Sequence, residues 1–201
     1  MVALICLTLA CPIALAQKTS VSESSRVIRK SLLTLFELSQ KASRDSKLLP
    51  KFRGNFDSAL DWGALASQVV GPAEWKALKP GQQNEMLSSL KNLTVGTIEF
   101  QAPQFWRDFP KYGVGPIQVS DRSATAQVSF TGKKGTLKYT YELTRKGPQW
   151  RLSGVEGRSE EIAKIRNQVQ ASMKSGGFDA TMQKVRILES ILEVQRKLLK
   201  E

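Results

Sequence analysis

The chain has 201 residues, a formal net charge of +12 at pH 7, no histidine, and two cysteines, Cys6 and Cys11. Without histidine there is no His-based triad, relay or zinc site, because the residue that most often serves as general base or metal ligand is missing. The carboxylates are spread through polar stretches and form no recognisable motif, so no catalytic residue, no metal and no cofactor is expected.

Residues 1–16, MVALICLTLACPIALA, carry no charge and close on Ala14-Leu15-Ala16, a small-x-small pattern of the kind signal peptidase reads. A cleaved export signal is expected there, leaving residues 17–201 as a single domain that starts near Gln17. Both cysteines fall inside the removed segment, so the remainder has no thiol for a disulfide or a cysteine-based metal site. A positive balance favours acidic partners, and equally serves solubility. Lys and Arg are scattered, with no run that resembles a nucleic-acid-binding arm, so no nucleic acid is expected.

From Arg26 to Lys41, Ile28, Leu32, Leu35, Phe36 and Ser39 fall at helical spacing between basic residues, which predicts an amphipathic helix. Asp61 can cap a second helix with Trp62, Leu65, Ala66 and Val69 on one face, stopped at Gly71-Pro72. A short turn follows around Trp75. Pro80 then opens a third helix, in which Met86, Leu87, Leu90, Leu93, Thr94 and Ile98 recur every three or four residues.

From Phe100 the texture changes, as Phe105, Trp106, Phe109, Pro110, Tyr112 and Gly113 crowd together and the apolar period then drops to two. Ala124, Ala126, Val128 and Phe130 alternate with polar residues, as do Leu137, Tyr139, Tyr141 and Leu143, then Trp150, Leu152 and Val155. Gly-containing turns separate these runs, predicting an antiparallel meander with Val114–Val119 as a fourth strand. One face is apolar and must be covered by helices, so the fold class is α+β. Ser159 with Glu160 and Glu161 starts a further helix along Ile162, Ile165, Val169 and Met173; Gly176-Gly177 ends it, and Asp179 opens a last one through Met182, Val185, Leu188 and Leu192.

Several pieces taken in order resemble the MlaC, or toluene-tolerance, family. They are Asp61-Trp62 through Val69-Val70-Gly71, then Trp75, Leu78, Pro80 and Gln83; Tyr139, Tyr141 and Leu143 before Trp150-Arg151-Leu152; Glu156-Gly157 and Ser159; Arg166-Asn167-Gln168; and Gly176-Gly177 before Asp179. Three departures stand out. The segment from Trp150 to Gly157 is shorter than the family pattern, Gly154 stands where an Asp is expected, and Ile165 and Val169 replace aromatics that flank the Arg-Ser-Gln motif.

The resemblance implies a soluble, monomeric carrier in the periplasm of a Gram-negative bacterium, shuttling phospholipid between inner-membrane and outer-membrane lipid transport complexes, including a membrane-bound ABC transporter. Helices would cover one face of a curved antiparallel sheet, with acyl chains held in an apolar cavity between. The lining expected on this basis is Leu90 and Val95 from the third helix, Phe100 after it, Val128, Tyr139, Tyr141, Trp150 and Leu152 from the sheet, and Ile165 and Val169 beyond it. Each of these also fits a solid core. Phe105, Trp106 and Phe109 are expected to form a lip over the entrance or a docking patch, and Arg166 and Gln168 to sit at the rim or to hold a corner. The alternative is a periplasmic interaction module of the same fold with no lipid cavity.

Overall fold

A computed structural model describes residues 20–156 and 159–198; side chains of 159–165 and from 196 onward are outside the description, as are the expected export segment 1–16 and Leu199. Helix α1 (Val21–Ala42) begins at Ser20, whose hydroxyl accepts from the Glu23 N–H, and buries Ile28, Leu32, Leu35, Phe36 and Leu38. A single 3-10 turn (Ser46–Leu48) leads into α2 (Leu49–Ala59), with Pro50 in its first turn, where a missing N–H costs nothing. Helices α3 (Trp62–Val70) and α4 (Pro72–Ala77) meet at Gly71, whose φ of 107° is a conformation that only glycine adopts freely.

Helix α5 (Pro80–Asp108) has 29 residues and is about 44 Å long at 1.5 Å per residue, enough to serve two cores. The sequence predicts this helix only as far as Ile98, with irregular chain from Phe100. In the structure it runs on through Pro103. The proline removes the hydrogen bond to the Glu99 carbonyl, at a cost of roughly 3 kcal/mol for an interior position. Burial of Ala102, Trp106 and Phe109 against the sheet and α1 outweighs it, since a large aromatic side chain alone is worth about 3 kcal/mol.

Strands β1 (Lys111–Val119), β2 (Ser123–Gly132), β3 (Gly135–Lys146) and β4 (Gln149–Glu156) pair in sequence order as an antiparallel meander. Ala124, Ala126, Val128 and Phe130 of β2 all point into the core while their neighbours face outward, so the period of two is realised. Register slips occur between Val114 and Ile117 and between Glu142 and Leu143, and such bulges bend a sheet. Helix α6 (Ser159–Leu198) is broken at Gly177, with φ 71° and ψ −166°, which is the division expected at Gly176-Gly177.

Among the described residues the buried apolar side chains form two clusters. The larger joins the inner sheet face to α1, α2 and the second half of α5; the smaller joins Val70, Met86, Met182 and Val185, with Leu90, Leu93, Val169 and Met173 around it. The helical half is tied to the sheet edge where Leu60 bridges Leu152 and the Asp61 N–H donates to the Leu152 carbonyl at 2.7 Å. No described helix is long and apolar enough to cross a membrane.

Candidate functional site

A cavity of about 240 Å³ lies between the sheet and its helical cover. Phe130, Tyr139, Tyr141, Leu152 and Val155 form its sheet wall; Leu35, Phe36 and Ser39 of α1, Phe52 and Phe56 of α2, and Ile98, Gln101, Ala102, Phe105 and Trp106 of α5 form the rest. Strand alternation puts Tyr139 and Tyr141 on one face, and the α1 spacing turns Phe36 toward them.

Phe130 is the centre of an aromatic frame. Its ring centroid is 5.2 Å from Phe36, 5.1 Å from Phe105, 5.8 Å from Trp106 and 5.8 Å from Tyr139, all edge-on. The Trp106 indole N–H donates to the Ser39 hydroxyl at 3.0 Å, so the buried polar atom of this ring is satisfied. Ser39, Gln101 and the two tyrosines are the polar members of an otherwise apolar lining.

A second cleft, of about 370 Å³, adjoins the first. It is lined by Ser39, Ala42, Ser43, Arg44 and Ser46, by Leu49, Phe52 and Arg53, and by Glu99, Phe100, Ala102 and Pro103. Ser39, Phe52 and Ala102 line both spaces and form the wall between them. Glu99, whose side chain is 5% exposed, accepts from Arg53 Nε at 2.5 Å and Nη2 at 2.8 Å. That pairing holds the Arg53 guanidinium above its ordinary pKa.

Asp61 sits where helix and sheet meet. Burial pushes its carboxyl up, but the Ala64 N–H, the Lys146 ammonium at 3.2 Å and the Thr144 hydroxyl at 3.1 Å outweigh that and hold it below the usual carboxylate value. It caps α3 as expected.

The residues singled out from sequence are distributed unevenly around this site. Tyr139, Tyr141, Leu152, Phe105 and Trp106 converge on the cavity, and Phe100 lines the adjoining cleft. Val128, Trp150 and Val95 belong to the large cluster but not to the cavity lining, whereas Leu90 and Val169 pack in the small cluster around Met86. Trp106 is 4% exposed and Phe109 is buried against Phe105, so both are packed inward between α5 and the sheet. Arg166 and Gln168 are exposed on α6. Ile165 falls outside the residues whose side chains are described. Sequence reasoning does not assign Leu35, Phe36, Ser39, Phe52, Phe56, Ile98, Gln101, Ala102, Phe130 and Val155 to the lining. For α2 a signal exists, because Leu49, Phe52, Phe56 and Leu60 recur every three or four residues around Pro50.

Among the described residues no three acidic side chains gather to hold a metal ion. A comparison with curated proteins finds no match. Among solved structures, the phospholipid-binding protein from Ralstonia solanacearum, in complex with a phospholipid, superposes with a TM-score of 0.67 at 15% sequence identity, over 82% of this chain and 98% of that one. This likeness shows a shared fold. The sequence pattern of the family described as MlaC protein matches residues 26–186, which is most of the chain and takes in every element from α1 into the second half of α6, so the chain belongs to the MlaC family.

Proposed function

We propose that this protein is a phospholipid carrier, a binding protein rather than an enzyme, whose cavity between the sheet and α1, α2 and α5 takes up acyl chains. The observation that carries this reading is the aromatic-lined apolar cavity in a chain of the MlaC family, supported by the phospholipid bound in the similarly folded Ralstonia solanacearum protein. At about 0.8 kcal/mol per buried methylene, two chains of roughly 15 methylenes would cost on the order of 25 kcal/mol to leave in water. A lipid crossing an aqueous space therefore needs an apolar interior close to membrane quality.

A cavity of about 240 Å³ is below the ~300–1,000 Å³ of ordinary ligand pockets. Loading requires the cover to separate from the sheet, and the adjoining cleft supplies further room once the Phe52 and Ala102 wall yields. Residues 1–16 act as an export signal, and 17–201 form one domain working in the periplasm between inner-membrane and outer-membrane lipid transport complexes. The small resting volume is also what a cavity-free interaction module would show, and this is the second reading.

Native mass spectrometry of the chain purified from a Gram-negative periplasm without detergent decides between them. One phospholipid per protein is expected. A lipid-free mass, with no uptake from liposomes, leaves the interaction module.

A further inference from the structure

The second half of α6 is apolar on two sides. Met182 and Val185 are buried in the small cluster, as their spacing predicts. Ile187, Leu188, Ile191 and Val194 face outward and are each between 49% and 57% exposed. The sequence reading sets Leu188 in line with Met182 and Val185, but it stands on the outward side, where four large aliphatic residues at i, i+1, i+4 and i+7 make a stripe of their own. The other exposed large aliphatic side chains among the described residues are dispersed. Val21, Val27 and Leu33, spaced six apart, fall on different sides of α1, and Val155 edges the cavity. Single exposed aliphatics are ordinary, whereas a contiguous patch marks a surface that meets something.

The charge around the stripe narrows what that is. Lys184 stands on it, exposed, one turn before Leu188. The carboxylates between these aliphatic residues are turned to the edge that meets α5. Glu189 accepts from Asn92 Nδ2 at 3.5 Å, and Glu193, four residues on, falls on the same edge, where Arg186 pairs with Glu85. From Lys184 to Val194 the outward face therefore holds one cation and no carboxylate. In sequence, Arg196, Lys197 and Lys200 follow against Glu201 alone, in a chain of net charge +12. Four half-exposed aliphatic side chains also fall well short of the roughly 800 Å² per partner that a stable protein interface covers. A bilayer sets no such minimum, since an amphipathic helix needs only to sink its apolar side about 5–10 Å into the lipid boundary while anionic lipid attracts its cations.

We propose that the outward face of α6 from Lys184 to Val194 docks this protein on the surface of an anionic phospholipid bilayer. Ile187, Leu188, Ile191 and Val194 enter the acyl boundary, and Lys184 lies among the phosphates. This part of α6 meets the first half of α5 at Glu85 and Asn92, whereas the cavity begins further along α5, at Ile98. Asn92 and Ile98 are 98 − 92 = 6 residues apart, or about 9 Å along the helix. The docking residues line no part of the cavity, so docking goes beyond the carrier reading and does not depend on what the cavity takes up.

The test sediments the full chain with sucrose-loaded vesicles, either phosphatidylcholine alone or equal parts phosphatidylcholine and phosphatidylglycerol, and reads the protein in the pellet. The wild type is expected to partition onto the mixed vesicles about fivefold more strongly, with the difference lost in high salt. Leu188→Gln combined with Ile191→Gln is expected to weaken that partition about tenfold, and Lys184→Glu about fivefold on the mixed vesicles only. Val27→Gln, which removes a lone exposed aliphatic from α1, should change nothing. These positions are exposed and Gln and Glu suit helices, so unchanged melting temperatures are expected. A wild type that stays in the supernatant with both vesicles, or a double variant that pellets as well as the wild type, overturns the docking face. A dimer that the double variant separates, or an envelope protein whose capture it abolishes, in either case without pelleting, identifies another occupant and also overturns it. Pelleting without lipid uptake removes the carrier reading instead and leaves the docking face standing.

Discussion

Trp106 Nε1 and the Ser39 hydroxyl meet at 3.0 Å, and this hydrogen bond fastens the second half of α5 to α1 at the cavity wall. Ser39→Ala keeps the shape of the site but strands a buried indole N–H. The expected cost is about 1–3 kcal/mol, the penalty for an unsatisfied buried donor. Denaturant titration checks it, with the slope unchanged because the same surface is exposed on unfolding. The cost should largely vanish in a Trp106→Phe background, where no donor remains; equal costs in both backgrounds would show that the bond does not matter.

Asp61 gives the fold an acid-sensitive joint. Its carboxyl is held below the ordinary value in the folded protein, so the unfolded chain binds the proton more readily. The stability it contributes is complete above the unfolded carboxyl value of about 3.9 and is lost as pH falls through the lower folded value. Asp61→Asn, which keeps an acceptor for the Ala64 N–H but loses the charge facing Lys146, should flatten this part of the pH profile. Asp61→Ala, which also removes the cap, should cost about 0.5–2 kcal/mol at neutral pH. Melting curves from pH 2 to 7 decide; parallel wild-type and Asp61→Asn profiles would contradict the assignment.

Two glycines in the β2–β3 hairpin should respond for different reasons. A Cβ at Gly132 would run into the Asp108 carbonyl oxygen and lie 2.8 Å from Phe109 Cα, both backbone atoms that cannot move aside without shifting the end of α5. Gly132→Ala is expected to destabilise at the upper end of the ~1–3 kcal/mol range for overpacking. At Gly135 a Cβ meets nothing within 4 Å, but φ is 103°. Gly135→Ala should cost only about 1 kcal/mol, through backbone strain. Thermal unfolding of the pair, with Gly132→Ala no worse than Gly135→Ala, would refute the close approach.

Ala102 offers a way to close the cavity without disturbing the frame. Leu is nearly as good a helix former, and its added carbons project from the shared wall of cavity and cleft. Ala102→Leu should leave the melting temperature unchanged or higher. A lipid-bound state overpacked by about 1–3 kcal/mol loses roughly fivefold or more in affinity. Lipid per protein after purification from cells is the readout, and an undiminished ratio would place the acyl chains elsewhere.

Legibility from sequence follows the strength of the local pattern. Strict alternation along Ala124–Phe130 and Leu137–Leu143 leaves little choice of register, and the sheet appears as the spacing predicts. The Asp61 cap, the Gly71 stop and the Gly177 break are single-residue chemistry and are equally readable. The second half of α5 is not, because Pro103 and a run of aromatics read locally as loop, and only tertiary burial makes them helical. The cavity suffers from the same limitation. Periodicity tells which face of a helix is apolar but not which partner it meets, so Leu90 and Val169, equally periodic, go to the small cluster while Phe36, Phe52 and Phe130 surround the space.

Strand order has a kinetic meaning. Each strand pairs with its sequence neighbour, across connections at 120–122, 133–134 and 147–148. Hairpins closed by so few residues form in about 1–10 μs, without the entropic penalty of bringing distant segments together. The backbone link between Leu60 and Leu152 is of another kind, since it joins positions 152 − 60 = 92 residues apart. Folding speed should therefore be governed by the arrival of the α2–α3 corner at the edge of a sheet that has already zipped. Refolding slowed by changes at Leu60 but not by changes in the hairpin turns would be its signature.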